Sequence, residues 1–216
     1  MPNDSDVQQA VLAELKWEPG VGAEHIGVAV NGGVVTLTGH VENLTQRHAA
    51  EAAALRVRGV KAVAQEIEVR LRPDTERADD EIAAAAVERL AWDVSVPANS
   101  VKVTVQNGWV RLTGEVDWHY QRTVAEQDVQ RLYGVVGLTN DIGIKSKVHG
   151  SSISDDIMHA LHRSWFFDPR TVNVTVDDGT VLLTGTVQSD HDRRIAAATA
   201  WAAPGVTDVV NEIVVA

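Results

Sequence analysis

Residues 28–41 read Val28-Ala-Val-Asn-Gly-Gly-Val-Val-Thr-Leu-Thr-Gly-His-Val41, two short runs of alternating apolar residues around a glycine-rich turn. Alternation with period two is typical of a strand that buries one face. Asn-Gly favours a tight hairpin turn because both residues tolerate positive φ. The segment therefore predicts a β-hairpin.

The same hairpin pattern occurs three times along the chain. Displacing the sequence by 75 residues, and then by a further 71, superimposes three segments without a gap. The aligned segments are 7–70, 82–145 and 153–216. Similarity at a fixed period indicates one supersecondary unit used repeatedly. The predicted domains are 1–72, 78–147 and 151–216, with short polar linkers between them.

Each repeat is predicted to have the element order α-β-β-α-β. Apolar residues at Val7, Val11 and Leu15 have helical spacing, and an alanine-rich segment near 45–58 predicts a second helix. Gly59 after it is typical of a helix C-terminus. A strand–helix–strand step is almost always a right-handed crossover between parallel strands. We therefore expect an α+β fold, in which each three-stranded mixed sheet carries both helices on one face.

Composition and charge restrict the class of protein. Of the 216 residues, 44% are hydrophobic and 23% charged, as in ordinary globular domains. The net charge of −11 opposes binding to nucleic acid and to anionic lipid. No apolar run reaches the ~18 residues of a membrane span. Because there is no cysteine, disulfides and cysteine nucleophiles are excluded.

The first six residues contain neither the basic nor the apolar segment of a secretory signal. For the chain as written, we therefore expect a cytoplasmic location. A processed or alternative-start form would be expected in the periplasm.

The recurring pattern V-x-V…G-x-V-x-L-T-G-x-V, a later arginine, Gly-Val and a final Asn-x-Ile resembles the BON family (bacterial OsmY and nodulation). Asn140-Asp141-Ile142 and Asn211-Glu212-Ile213 carry the last element, whereas the first repeat has Gln65-Glu66-Ile67. The resemblance implies a non-catalytic binding module connected with envelope integrity, osmotic stress and phospholipid binding. The family that this chain resembles also includes secreted or lipid-anchored envelope proteins and a cytoplasmic potassium-binding protein.

No arrangement of residues predicts catalysis, so we expect no catalytic residue, no cofactor and no metal site. The shared glycines do not form a phosphate-binding motif and are interpreted as conformational. Asp155, Asp156, His159 and His162 lie on one predicted helix, but two nitrogen ligands without a supporting partner are a poor metal site.

An arginine opens the second helix of every repeat, at Arg47, Arg122 and Arg193. This shared arginine can be interpreted in two ways: it contacts an anion at a helix N-terminus, or it has a structural role. In the structural reading, which we favour, the arginine covers the core edge or pairs with acids such as Glu51 and Glu126.

Six tryptophans against two phenylalanines and two tyrosines is an unusual ratio. Trp17 and Trp92 share a column at the end of the first helix, and we expect both in the core. Large aromatics outside the core indicate packing, self-association or ligand contact. The candidate ligand or interface residues are Trp109, Arg111, Trp118, Trp165, Phe166, Phe167, Leu182 and Trp201.

Three functions remain open from the sequence. The first is a non-enzymatic binding or scaffolding protein of stress or envelope physiology, with a lipid or protein partner. The second is a cytoplasmic sensor of an ion, potassium-like, or of a small ligand. The third is a self-assembling structural protein, since the uncovered sheet faces predict packing between repeats or a homo-oligomer.

Overall fold

The computed structural model describes residues 3–145, 150–163 and 171–215. The predicted element order occurs in each third of the chain. The first repeat contains α1 (Asp4–Trp17), a 3₁₀ turn (Ala23–His25), β1 (Ile26–Asn31), β2 (Val34–Val41), α2 (Leu44–Arg56) and β3 (Ala62–Val69). The second contains α3 (Asp79–Trp92), β4 (Val101–Gln106), β5 (Trp109–Val116), α4 (His119–Val129) and β6 (Gly137–Ile144). The third contains α5 (Gly150–Arg163), β7 (Val172–Asp177), β8 (Thr180–Val187), α6 (Asp190–Trp201) and β9 (Asp208–Val215).

Each repeat has its own sheet with the predicted mixed topology, which confirms the α+β fold. The strand orders are β1-β2-β3, β4-β5-β6 and β7-β8-β9. In the first sheet the central strand β2 is antiparallel to β1 and parallel to β3. The third sheet repeats this arrangement in the same register. Leu37 lies between Val28 and Gln65, just as Leu183 lies between Val174 and Asn211.

The core of each repeat lies between its sheet and its helices. In the first repeat, Val7, Val11 and Leu15 of α1 are buried together with Leu37 of the central strand. The equivalent leucines, Leu112 and Leu183, are also fully buried. The three aligned leucines therefore have equivalent burial.

Three glycines at the end of the central strands are required by the backbone. Gly39, Gly114 and Gly185 have φ values of 113°, 129° and 127°. A Cβ at any of them would collide with a carbonyl oxygen just before the first strand, that of His25, Ser100 or Thr171. Only glycine adopts such φ values readily, so these residues serve conformation.

The first helix is tied to the hairpin turn in two repeats. The Asp4 carboxylate accepts hydrogen bonds from the N–H groups of Gly32-Gly33 at 2.8 and 3.2 Å. Asp79 does the same for Asn107-Gly108, at 2.7 and 2.8 Å. The aligned position in the third repeat is Gly150, which has no side chain to make this bond.

Ion pairs join the two helices of the first and second repeats, with opposite arrangements of charge. In the first repeat Glu14 of α1 and Glu18, which directly follows α1, bind Arg56 at 3.0 and 2.7 Å. In the second repeat Arg89 of α3 binds Asp128 of α4 at 2.7 Å. The acid is therefore on the first helix in one repeat and on the second helix in the other.

The chain folds into two compact units, and their boundaries do not coincide with those of the three repeats. The first unit comprises Met1–Arg89, Val103–Arg111 and Asp128–Thr139. The second comprises Leu90–Lys102, Leu112–Gln127 and Asn140–Ala216. Because both units draw on the middle repeat, the boundaries 1–72, 78–147 and 151–216 stay predictions. Within the described residues, no helix is long and apolar enough to cross a membrane.

Candidate functional site

The ends of α1 and α3 carry the two most exposed tryptophans of the described chain. Trp17 is 83% exposed and Trp92 is 78% exposed, so their predicted place in the core was wrong. The reason is helical geometry, since each lies two positions, or roughly 200°, beyond the last buried leucine. These leucines are Leu15 and Leu90. Val94, just after α3, is fully exposed. The two helix ends therefore present apolar surface to solvent.

Trp109 lies on the outer face of the second sheet, as predicted, but it has a local role. Its indole covers Gly137, where a Cβ would overlap the ring, and its Nε1 donates to Thr139 Oγ1 at 2.9 Å. Covering a strand glycine with an aromatic ring stabilises a sheet. The ring remains 46% exposed. Arg111 lies on the same face and is exposed.

The third sheet has an apolar outer face. Leu182 is partly buried there, beside Thr175 and Val210 in the register of the sheet. Val210 and Val214 on β9 are exposed on the same face. That another surface covers these outer faces stays a prediction.

Two aromatic pairs lie at the N-terminal end of α4 in the second unit. The imidazole of His119 stacks on the indole of Trp201, with ring centroids 3.9 Å apart. Trp118 and Tyr120 form a looser pair at 6.3 Å. Burial lowers the pKa of His119, the Arg122 charge lowers it further, and Glu126 opposes both. The neutral imidazole is therefore favoured in this stack.

The first unit contains a polar cleft of about 420 Å³. Its walls include the start of α2 and the segment after α4. Arg72 and Arg131 supply positive charge, and Tyr133 supplies an aromatic ring. Arg72 also lies 4.0 Å from the Glu42 carboxylate. The cleft thus offers cations and hydrogen-bonding groups rather than a cage of carboxylates.

The sequence pattern of the BON domain matches residues 3–70, 78–146 and 149–216. The chain belongs to the BON domain family. A curated BON relative is the osmotically-inducible protein Y of Escherichia coli (strain K12), 31% identical over 147 residues that cover 66% of this chain and 73% of the relative. Among solved structures, CdsD, a structural protein of the type III secretion system of Chlamydia trachomatis, matches at 17% identity and a TM-score of 0.27. That match covers 98% of this chain and 92% of CdsD.

The Asn-x-Ile element of the BON pattern ties the last strand to the second helix. Asn140 Nδ2 donates to the carbonyl oxygen of Arg122 at 3.1 Å, and Asn140 Oδ1 accepts from the N–H of Ile142. Asn211 makes the equivalent bonds in the third repeat. Gln65 replaces them in the first repeat, with a longer 3.4 Å bond. The departure from the family pattern therefore preserves the contact.

The arginines at the start of the second helices lie at these ties. Arg122 donates to the carbonyl oxygen of Asn140 at 3.3 Å. Burial lowers the pKa of Arg47, and the nearby Glu51 opposes that shift. Both observations favour the structural reading of these BON arginines over an anion site.

Two features of this BON chain were not found from the sequence. His25 and His40 stack on the first sheet with centroids 4.7 Å apart. The register could have indicated this, because Ile26 pairs with Gly39 between them. The second feature is Asp128, only 5% exposed, whose Oδ1 accepts from Nε and Nη2 of Arg89 at 3.0 and 2.7 Å.

Three of the predicted residues, Trp165, Phe166 and Phe167, lie outside the described residues. The side chain of His162 is not described either. The prediction that α5 carries no metal site is therefore untested at this residue. Within the described BON repeats, no group of three His, Asp or Glu side chains is placed to hold a metal ion.

Proposed function

We propose that this chain is a non-enzymatic interaction protein of osmotic-stress or envelope physiology, which binds a lipid or protein surface through exposed tryptophans. The relative osmotically-inducible protein Y supports the physiological setting. The observation that carries the binding proposal is the exposure of Trp17 and Trp92 at the same column of two repeats. An indole suits such contacts because its apolar body and its N–H group match a surface that is partly wet.

A lipid partner of this chain should have zwitterionic rather than anionic headgroups. With a net charge of −11, the chain is repelled by anionic headgroups, so adhesion must come from apolar burial. Burying one indole contributes about 1.5–3 kcal/mol. One exposed indole at each helix end, taken by itself, therefore predicts weak, salt-insensitive binding to zwitterionic bilayers.

Liposome co-sedimentation tests this function. Phosphatidylcholine vesicles should retain the protein, and phosphatidylserine vesicles should retain less of it. The variant Trp17→Ser/Trp92→Ser should lose binding. The matched control is Trp109→Thr, which places at this position the residue of the third repeat. Equal retention of all three proteins would show that the exposed tryptophans are not the binding surface.

The cleft favours a second candidate function, sensing of a small ligand. Arg72 and Arg131 fit an anionic ligand better than a potassium-like cation. A thermal-shift screen should therefore show stabilisation by small dicarboxylates or phosphates and none specific to potassium over sodium. Arg131→Gln should abolish the shift. Stabilisation specific to potassium would contradict this reading of the cleft.

A further inference from the structure

Asparagine followed by glycine occurs at two places in this chain, and both lie at a hairpin turn. The pairs are Asn31-Gly32 in the first repeat and Asn107-Gly108 in the second. Both asparagines are exposed to solvent. Asparagine is a thermolabile residue, and a glycine after it leaves the next backbone nitrogen uncrowded because glycine has no Cβ. These two side-chain amides are therefore the ones most open to reaction with the backbone.

The geometry of the turns brings glycine next to asparagine. A tight hairpin turn needs positive φ at both central residues, which Asn and Gly tolerate. In the second repeat these residues are Asn107 and Gly108, with φ values of 50° and 74°. In the first repeat they are Gly32 and Gly33, at 59° and 84°, and Asn31 directly precedes them. The Asn-Gly pairs are thus a consequence of the turn itself.

A carboxylate holds the backbone nitrogen that follows each asparagine. The N–H of Gly32 donates to Asp4 Oδ2 at 2.8 Å. The N–H of Gly108 donates to Asp79 Oδ1, also at 2.8 Å. This nitrogen is the atom that attacks the side-chain amide when an asparagine closes onto its own backbone. The ties between the first helix and the turn therefore act on the reacting atom.

The third repeat lacks both the carboxylate and the asparagine. The residue aligned with Asp4 and Asp79 is Gly150, and the turn reads Asp177-Asp178-Gly179. An acid at the start of the first helix therefore accompanies an Asn-Gly pair in two repeats, and neither occurs in the third. This co-occurrence connects the acid with the asparagine.

We propose that Asn31 and Asn107 are sites of spontaneous deamidation. The bound carboxylates, Asp4 and Asp79, slow this reaction. In it, the glycine nitrogen gives its proton to water and attacks Cγ of the asparagine, so that the N–Cγ bond forms and the Cγ–Nδ2 bond breaks. The departing nitrogen takes up a proton from water and leaves as ammonia. Water then opens the cyclic imide to aspartate or isoaspartate, so that water is consumed and ammonia released.

The carboxylate acts on the step in which the ring closes. The glycine nitrogen becomes a nucleophile only after it loses its proton, and a carboxylate is too weak a base to remove a proton from a peptide N–H. At 2.8 Å it instead holds that proton and repels the negative charge that develops on the nitrogen. Repulsion between like charges at this range corresponds to a decrease in rate of at least about fivefold, even in water.

Deamidation weakens the tie between helix and turn. It adds a carboxylate to the segment that binds Asp4 or Asp79, and like charges at this distance repel. Aspartate itself is compatible with the turn, since Asp178 has a φ of 42° at the column of Asn107. Isoaspartate adds a methylene to the backbone and therefore also disturbs the register of the hairpin. The change is irreversible, so it accumulates with the age of the protein and requires neither lipid nor ligand.

Peptide mapping of the full chain tests the proposal, because the two asparagines lie on different tryptic peptides, 17–47 and 103–111. The protein is incubated in mildly alkaline buffer, and mass spectrometry follows the replacement of each amide by a carboxyl group. Asp4→Ala should accelerate deamidation of Asn31 at least about fivefold and leave Asn107 unchanged. Asp79→Ala should do the reverse, so each asparagine is the internal control for the other.

Further measurements separate the local effect from loss of folding. Asp4→Asn keeps a side-chain acceptor for the Gly32 N–H but removes the charge, and it should also accelerate deamidation of Asn31. Arg56→Gln breaks the ion pairs at the other end of α1 and should leave both asparagines at the parent rate. The urea-unfolded parent should deamidate faster than the folded parent at both asparagines.

Three results would overturn the proposal. One is an Asp4→Ala variant in which Asn31 deamidates at the parent rate or more slowly, because the carboxylate would then give no protection. Another is an Arg56→Gln variant that accelerates Asn31 as much as Asp4→Ala does, or an Asp4→Ala variant that accelerates both asparagines equally. Either would show that loosening of the fold is sufficient. The third is equal rates in the folded and the unfolded parent, because the turns would then not be protected at all.

Discussion

Removing Arg89 should destabilise the middle repeat far more than removing its partner Asp128. The Asp128 carboxylate is buried, and its Oδ1 takes two hydrogen bonds from the half-exposed Arg89. Its Oδ2 is buried without a hydrogen-bond partner among the described residues. In Arg89→Ala, this carboxylate therefore loses the charge that compensates its burial.

The expected losses of stability follow from the burial of Asp128 and the exposure of Arg89. Breaking a buried ion pair by removing one partner costs about 3–5 kcal/mol, and we expect about 3 kcal/mol because water reaches Arg89. Asp128→Ala should cost less than about 1 kcal/mol. It introduces the residue that the first repeat has at this column, the fully buried Ala53, and leaves Arg89 solvated. The double variant should resemble Asp128→Ala, which gives a coupling energy of about 2 kcal/mol or more.

Hydrogen exchange measured by mass spectrometry resolves this effect within the chain. A loss of about 3 kcal/mol should accelerate exchange of the most protected amides of α3 and α4 roughly a hundredfold. Amides of the first and third repeats serve as internal controls. If Arg89→Ala and Asp128→Ala lower the free energy of unfolding by the same amount, the pair is only a surface ion pair and the burial of Asp128 does not determine its strength.

Three further predictions concern the turns and the stack. Gly114→Ala should cost about 2 kcal/mol or more, because its φ of 129° suits glycine alone and a Cβ would meet the Ser100 carbonyl; urea unfolding checks this. Asp79→Ala should cost about 1–2 kcal/mol by releasing two turn N–H groups, seen as faster exchange at the turn. Since the pKa of His119 is lowered in the folded protein, the unfolded chain binds more protons between that pKa and about 6.5, and stability falls as the pH drops through this window. His119→Phe should remove this part of the pH dependence, measured by Trp201 fluorescence between about pH 7 and pH 5.

Most of the fold could be predicted because the same weak signals occur three times. One V-x-L-T-G segment is an ordinary hydrophobic pattern, but three in register fix the strands, the turn glycines and the buried leucines such as Leu37. The parallel pairing of β2 with β3 followed from the handedness of the crossover. The short, alternating apolar residues thus contained the information needed for the sheet.

The candidate site was harder to predict because exposure depends on angular position and on neighbouring repeats. Trp17 was placed in the core because of its hydrophobicity, although its position relative to Leu15 already pointed away from the sheet. The stack of His119 on Trp201 joins residues 82 positions apart in different repeats, and no periodicity within one repeat encodes it. Asp128 could have been suspected, since an acid stands in a column that otherwise holds Ala53 and Thr199.

The opposite charge arrangement of the interhelical ion pairs has a consequence for folding. Tandem domains of similar sequence can misassemble by exchanging equivalent helices. If α1 packed against α4, Glu14 would meet Asp128, and if α3 packed against α2, Arg89 would meet Arg56. The first wrong pairing would bring two carboxylates together at the buried position of Asp128, and the second would bring two guanidinium groups together at a solvent-exposed position. Both mismatches would disfavour an exchange of helices between the repeats.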